Sequence, residues 1–141
     1  MMPDDRDEKI DHDRWDFLIP FFKPRIFTIE EANLALPDVI RITEETLSQL
    51  NSAAGRFEGL GLRKWSAVTG VIEEDSIRAG WVRRIARMGV LPKGFFTVDF
   101  ASTEEGTFYC WTYGEDNVGH QHKAWEGFDD RVPVTSETSF H

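Results

Sequence analysis

An α+β fold is predicted, with two main antiparallel helices packed on a small three-stranded antiparallel meander. Three observations carry it. Apolar residues recur at helical spacing after Thr28 and again before Gly89. Beyond Gly94 the period switches to alternation, and turn residues then cut the chain into short segments. The 141 residues suit one domain, divided into an acidic then apolar arm (1–26), a single α+β domain (27–134) and a polar tail (135–141).

The first helix opens at Phe27-Thr28-Ile29-Glu30-Glu31. Thr28 can cap a free backbone N–H, and Glu31 completes a capping box. Ala32, Leu36, Val39, Ile40, Thr43, Leu47 and Leu50 lie along one face, so the helix should run to about Asn51. Pro37 should kink it or begin its longer half. Gly55, Gly59 and Gly61 then mark a loose turn, and Leu62–Ile72 is ambiguous, with Trp65 and Val68 able to form an extra turn. The second helix fits Glu73 to Met88 through the stripe Ile77, Trp81, Val82, Ile85 and Met88. Acids stand at its start and arginines towards its end, matching the helix dipole, and Gly89 and Pro92 stop it.

In the first strand Phe96, Val98 and Phe100 point one way, and Thr97 and Asp99 the other. A turn at Ser102–Gly106 leads to a second strand at Thr107–Tyr113, and a turn at Gly114–Asn117 to a third near Val118–Trp125. Pairing Ala101 with Thr107 sets Phe100 against Phe108, Val98 against Cys110 and Asp99 against Tyr109. That register makes Cys110 a core thiol and puts Trp111 on the outer face. His122 falls across from Cys110 or across from Trp111, depending on a one-residue slip.

The net charge of −9 argues against broad nucleic-acid binding. Residues 1–16 hold seven acids and three bases, whereas residues 78–93 hold five bases and no acid. The basic segment is expected to face an acidic surface of this chain or of a partner subunit, with a small anionic ligand or RNA as the alternative. The apolar run Trp15–Phe22 should pack on the domain or on a neighbouring subunit. Its flanking acids disfavour a membrane-surface role. No apolar run is long enough to span a membrane, the N-terminus is too acidic for a targeting peptide, and a single cysteine fits a reducing compartment. The cytoplasm is the expected location.

Two blocks resemble a family of small bacterial proteins known as domain of unknown function 2203. One is Phe27-Thr28-Ile29-Glu30-Glu31-Ala32-Asn33 with Leu36-Pro37. The other comprises Val98-Asp99-Phe100, Cys110-Trp111, Gly114-Glu115, His122, Gly127-Phe128, Arg131 and Pro133. The likeness covers roughly Phe27 to Val134. His120 stands where the family usually has an aromatic residue, and Gln121 where it has tryptophan. The resemblance implies a helical pair with a small sheet and supplies no catalytic assignment.

The candidate chemistry lies in the strand region. His120 and His122 share a strand face, a geometry found in metal sites, and Glu115, Glu126 or Asp99 can add an oxygen. Cys110 with His122 has the makings of a nucleophile and base, but a core position makes the thiol inert. Asp99, Tyr109, Trp111, Glu115 and Arg131 would present an aromatic surface rimmed by charge, suited to a partner or a flat ligand. Arg131 can instead pair with Glu115 or Asp99, and Trp111 can pack beneath Gly127-Phe128. No phosphate loop, zinc-finger spacing or nucleophile elbow is present, and no cofactor is expected. The leading reading is a non-enzymatic binding or assembly module acting as a homo-oligomer, a homodimer or larger, with its outer sheet face or its arm as the contact surface. The alternative is a small-ligand or metal-binding protein, with or without enzymatic activity, whose site includes His122, Glu115 and Asp99.

Overall fold

The computed structural model describes residues 23–60 and 63–134, with backbone alone for 55–60 and 63–72. The acidic arm with Trp15–Phe22, the side chains of Trp65 and Val68, and the polar tail lie outside the described residues. In chain order the elements are β1 (Ile26–Phe27), α1 (Ile29–Leu60), α2 (Arg63–Arg87), β2 (Leu91–Pro92), β3 (Thr97–Ser102), β4 (Thr107–Thr112), β5 (His120–Lys123), a 3-10 turn at Phe128–Asp130, and β6 (Val132–Pro133). The α+β class holds. The sheet, however, has six strands rather than three and is mixed, in the order β1-β3-β4-β5-β6. The two-residue β2 shares an edge of β3 with β1, antiparallel where β1 is parallel.

The capping box forms as the sequence requires. Glu31 N–H donates to Thr28 Oγ1 and Thr28 N–H to Glu31 Oε1, both at 3.0 Å. Both helices outrun their expected limits. α1 continues past Asn51 to Leu60 with Pro37 inside it, and α2 begins at Arg63 rather than Glu73. The glycines do not break α1 because each costs only about 1 kcal/mol relative to alanine, a cost that packing of one helix on another can offset. The ambiguous segment therefore belongs mostly to α2. At its far end, Gly89 has φ +81°, and a side chain there would meet Arg25, whose N–H donates to Gly89 O at 2.9 Å. Glycine is required twice over at this crossing.

The main core lies between the helices and one sheet face. Ala32, Leu36, Val39, Trp81, Val82 and Ile85 meet Val98, Phe100, Tyr109 and Trp111. Trp81 Nε1 donates to Thr43 Oγ1 at 2.9 Å, so its indole is buried without an orphan donor. Asn33 ties α1 to the β4–β5 connection, accepting from Val118 N–H at 2.9 Å and donating to Val118 O at 3.2 Å. Part of the basic segment meets acids of this chain, as Arg84 with Glu45 at 2.9 Å and Arg78 with Glu74 at 3.6 Å.

The β3–β4 register differs from expectation by one residue. Ala101 pairs with Phe108, Phe100 with Tyr109, Asp99 with Cys110 and Val98 with Trp111. The turn explains it. Ser102 Oγ accepts from Glu104 N–H at 3.0 Å, which keeps Ser102 in the strand and leaves a four-residue loop closed by Gly106 at φ +82°. The slip buries Tyr109 and Trp111 against the helices and turns Cys110 to the opposite face. Cys110 is thus buried, but outside the helix-side core.

Candidate functional site

Residues paired across neighbouring strands share a face, so this register collects Asp99 of β3, Cys110 of β4 and His122 of β5 on the side away from the helices. The face is partly covered. The connection from β5 to β6 folds across it, starting with a turn in which Lys123 N–H donates to Glu126 Oε1 at 2.8 Å. The 3-10 turn follows, and its Phe128 ring lies 4.0 Å beneath the Arg131 guanidinium. Between this cover and the sheet is a cavity of about 240 Å³, lined by Lys93, Thr97, Asp99, Cys110, His122, Glu126, Gly127 and Phe128.

His122 is the hinge of the site. Its Nδ1 lies 2.8 Å from the Lys123 carbonyl, which only accepts, so this nitrogen carries a proton. Its Nε2 lies 3.0 and 3.1 Å from the two oxygens of Asp99. A proton there as well makes His122 an imidazolium paired with the Asp99 carboxylate. The hydrogen bond to Asp99 raises the His122 pKa, and burial only partly opposes it. Both side chains are more than nine-tenths buried.

Cys110 lies beside this pair. Burial pushes its thiol up to about 12, the Asp99 charge adds to the rise, and Arg131, with Nη1 3.8 Å from Sγ, offsets only part of it. Both His122 nitrogens are committed, one to Lys123 and one to Asp99, so neither serves Cys110 as a base. A nucleophilic cysteine needs a low pKa and such a base. The thiol is not activated. The carboxylate, imidazole and thiol nevertheless form a donor set, because an oxygen, a nitrogen and a sulfur lie within 4.8 Å of one another.

The remaining expected site residues divide. Glu115 and Arg131 join each other through two bonds, Nη1–Oε1 at 3.2 Å and Nη2–Oε2 at 2.9 Å. Burial works to raise the Glu115 pKa, but Arg131 and the Thr112 N–H hold it below the ordinary value. The pair reaches the site only through Arg131 and Cys110. Trp111 is not on the outer face: it is fully buried in the core, with Nε1 donating to Glu115 O at 3.0 Å. With Tyr109 also in the core, the expected outer aromatic surface does not form among the described residues, and Trp111 does not pack beneath Gly127-Phe128. His120 shares the outer face with His122, but its Nδ1 is 3.8 Å from Glu115 and makes no hydrogen bond among the described residues. It does not join the donor set.

Sequence reasoning had weighed Cys110 beside His122 but missed Asp99 as their neighbour, and it missed Lys93, Thr97 and Phe128 as walls. The Ser102-x-Glu104 turn was the available signal for the first, since counting the hairpin from Ser102 sets Asp99 opposite Cys110. Nothing local marks Lys93, which reaches the site only because β2 lies beside β3.

Among the described residues no helix is long and apolar enough to cross a membrane. No curated protein and no solved structure matches the chain. Its sequence pattern from residue 25 to residue 134 is that of a known family, and the match takes in every element from β1 to β6. The chain belongs to the family described as Uncharacterized conserved protein (DUF2203).

Proposed function

We propose that this protein binds a divalent transition-metal ion of the zinc class through Asp99, Cys110 and His122, on the outer face of its sheet. The observation that carries this reading is the convergence of three different donor atoms within 4.8 Å beside a cavity. Mixed nitrogen, oxygen and sulfur donors suit zinc and its neighbours rather than calcium or magnesium. Ligand atoms around a tetrahedral zinc stand roughly 3.3–3.7 Å apart, so the cluster needs adjustments of at most about 1.5 Å.

Two further features favour an ion. The Lys123 carbonyl fixes the Nδ1 proton, which leaves Nε2 as the ligating nitrogen, the usual outer support of a metal-bound histidine. Charge also balances. Without metal the site holds a carboxylate, an imidazolium and a neutral thiol. An ion of charge two replaces one proton from His122 and one from Cys110, leaving the total unchanged. Burial of a charged pair where apolar side chains would fit is otherwise hard to justify on stability alone.

The assembly reading drew on an outer aromatic surface that included Trp111 and on the apolar arm; the first support is gone with Trp111 in the core, and the arm lies outside the described residues. A binding module is what remains of it. The test is metal analysis of full-length protein purified without an affinity tag, alongside Asp99→Asn and Cys110→Ser. About one zinc-class ion per chain is expected, and either substitution should reduce it severalfold. Substoichiometric metal after incubation with excess zinc and desalting would sink the reading.

A further inference from the structure

Three protein donors leave a tetrahedral ion one position short, as in zinc sites that take a water or substrate. That position has a definite environment here. The sheet closes one side, and Asp99, Cys110 and His122 are themselves buried, so the open direction is the cavity under Glu126, Gly127 and Phe128. Its volume of about 240 Å³ is below the ordinary range of roughly 300–1,000 Å³ for pockets that hold drug-sized ligands. At ~30 Å³ for each water displaced, the occupant has on the order of eight non-hydrogen atoms. A nucleotide or a peptide would extend beyond the cavity mouth.

The charges around the cavity choose among small molecules. With the ion bound to a thiolate and a carboxylate, the centre is neutral. Arg131 and Glu115 neutralise each other. Glu126 uses one carboxylate oxygen to hold the Lys123 N–H. Lys93 lines the same cavity, and its ammonium has no hydrogen-bond or ion-pair partner among the described residues. A single negative charge on the ligand would match it. The Glu126 carboxylate opposes any anion, and it opposes a phosphate dianion more than the single charge that one lysine matches. The remaining wall is the half-exposed Phe128 ring beside Gly127, where a side chain would meet nothing within 4 Å. That wall suits a short apolar tail.

We infer that the cavity receives a small monocarboxylate, its carboxylate set between the bound ion and Lys93 and its apolar tail along Phe128. This rests on the metal reading above, and the experiment separates the two. Full-length protein is loaded with cobalt(II) in place of zinc, and its visible and near-ultraviolet absorption is followed during titration with butyrate and benzoate. Butanol and benzyl alcohol are the uncharged controls. A thiolate-to-cobalt band reports Cys110 ligation, and a saturable change in the d–d bands with the acids alone reports entry of the carboxylate. Lys93→Met should weaken that response about tenfold, the loss of one charge-assisted hydrogen bond, while Lys93→Arg should stay within a few-fold. Lys93 is exposed, so neither change threatens folding. A thiolate band that ignores the acids, or an acid response unchanged in Lys93→Met, overturns the carboxylate assignment and leaves the metal reading standing. Absence of the thiolate band overturns both.

Discussion

The two faces of the sheet are both buried, yet they are built from opposite materials. On the helix side Val98, Phe100, Tyr109 and Trp111 meet apolar side chains, and the few polar atoms are satisfied locally. On the other side a carboxylate, an imidazole and a thiol occupy equally sheltered positions under a short covering loop. Apolar burial stabilises in proportion to area, whereas a buried ion pair seldom beats the apolar residues that could replace it. The first face therefore explains why the chain folds. On the metal reading proposed above, the second is where stability is set aside for chemistry.

That contrast can be broken most forcefully from the helix side. Trp111→Ala should cost about 3–5 kcal/mol in urea unfolding, because it empties a fully buried site and strips Glu115 O of its donor. Asp99→Asn comes next at about 3 kcal/mol, since it leaves the buried imidazolium of His122 without its carboxylate. Metal-free protein should also carry a pH signature. His122 has a folded-state pKa raised above the ordinary 6.5, so its contribution is complete below the unfolded value and is lost as pH rises through the folded one. The urea midpoint should fall over that interval in wild type and fall less in Asp99→Asn; equal slopes would contradict the pairing.

Smaller effects sharpen the comparison. Glu115→Gln should cost about 1–2 kcal/mol by weakening the two bonds to Arg131, while metal stoichiometry stays at its wild-type value. Cys110→Ala should change stability by less than about 1 kcal/mol, since it deletes one small buried group outside the main core. Its metal content should nevertheless collapse. If Cys110→Ala unfolds at much lower urea and keeps its metal, the division between the faces is wrong.

The sequence made legible whatever depends on local spacing. The capping box at Thr28 and Glu31, the stripe through Trp81 and Ile85, and the alternation of Val98 and Phe100 all form as read. The facing of β4 was not decidable this way, because Phe108 with Cys110 and Tyr109 with Trp111 are both apolar sets. Either could face the helices, and the turn at Ser102 makes the choice. The outer site inherits that ambiguity, which is why Cys110 was assigned to the core and Trp111 to the outside. β1 and β2 were invisible for a different reason: two residues cannot display a period. The pairing of Glu115 with Arg131 was readable as an option, though not its choice over Asp99.

The sheet's margins carry a last consequence. At one end of its order lies β6, whose second residue, Pro133, has no N–H to offer a further strand. At the other, β3 is flanked by two fragments of two residues each, running in opposite directions. Among the described residues neither margin presents a long row of free main-chain groups, so these edges are poor templates for recruiting strands from other copies. Strand pairing between copies through these margins is thereby discouraged.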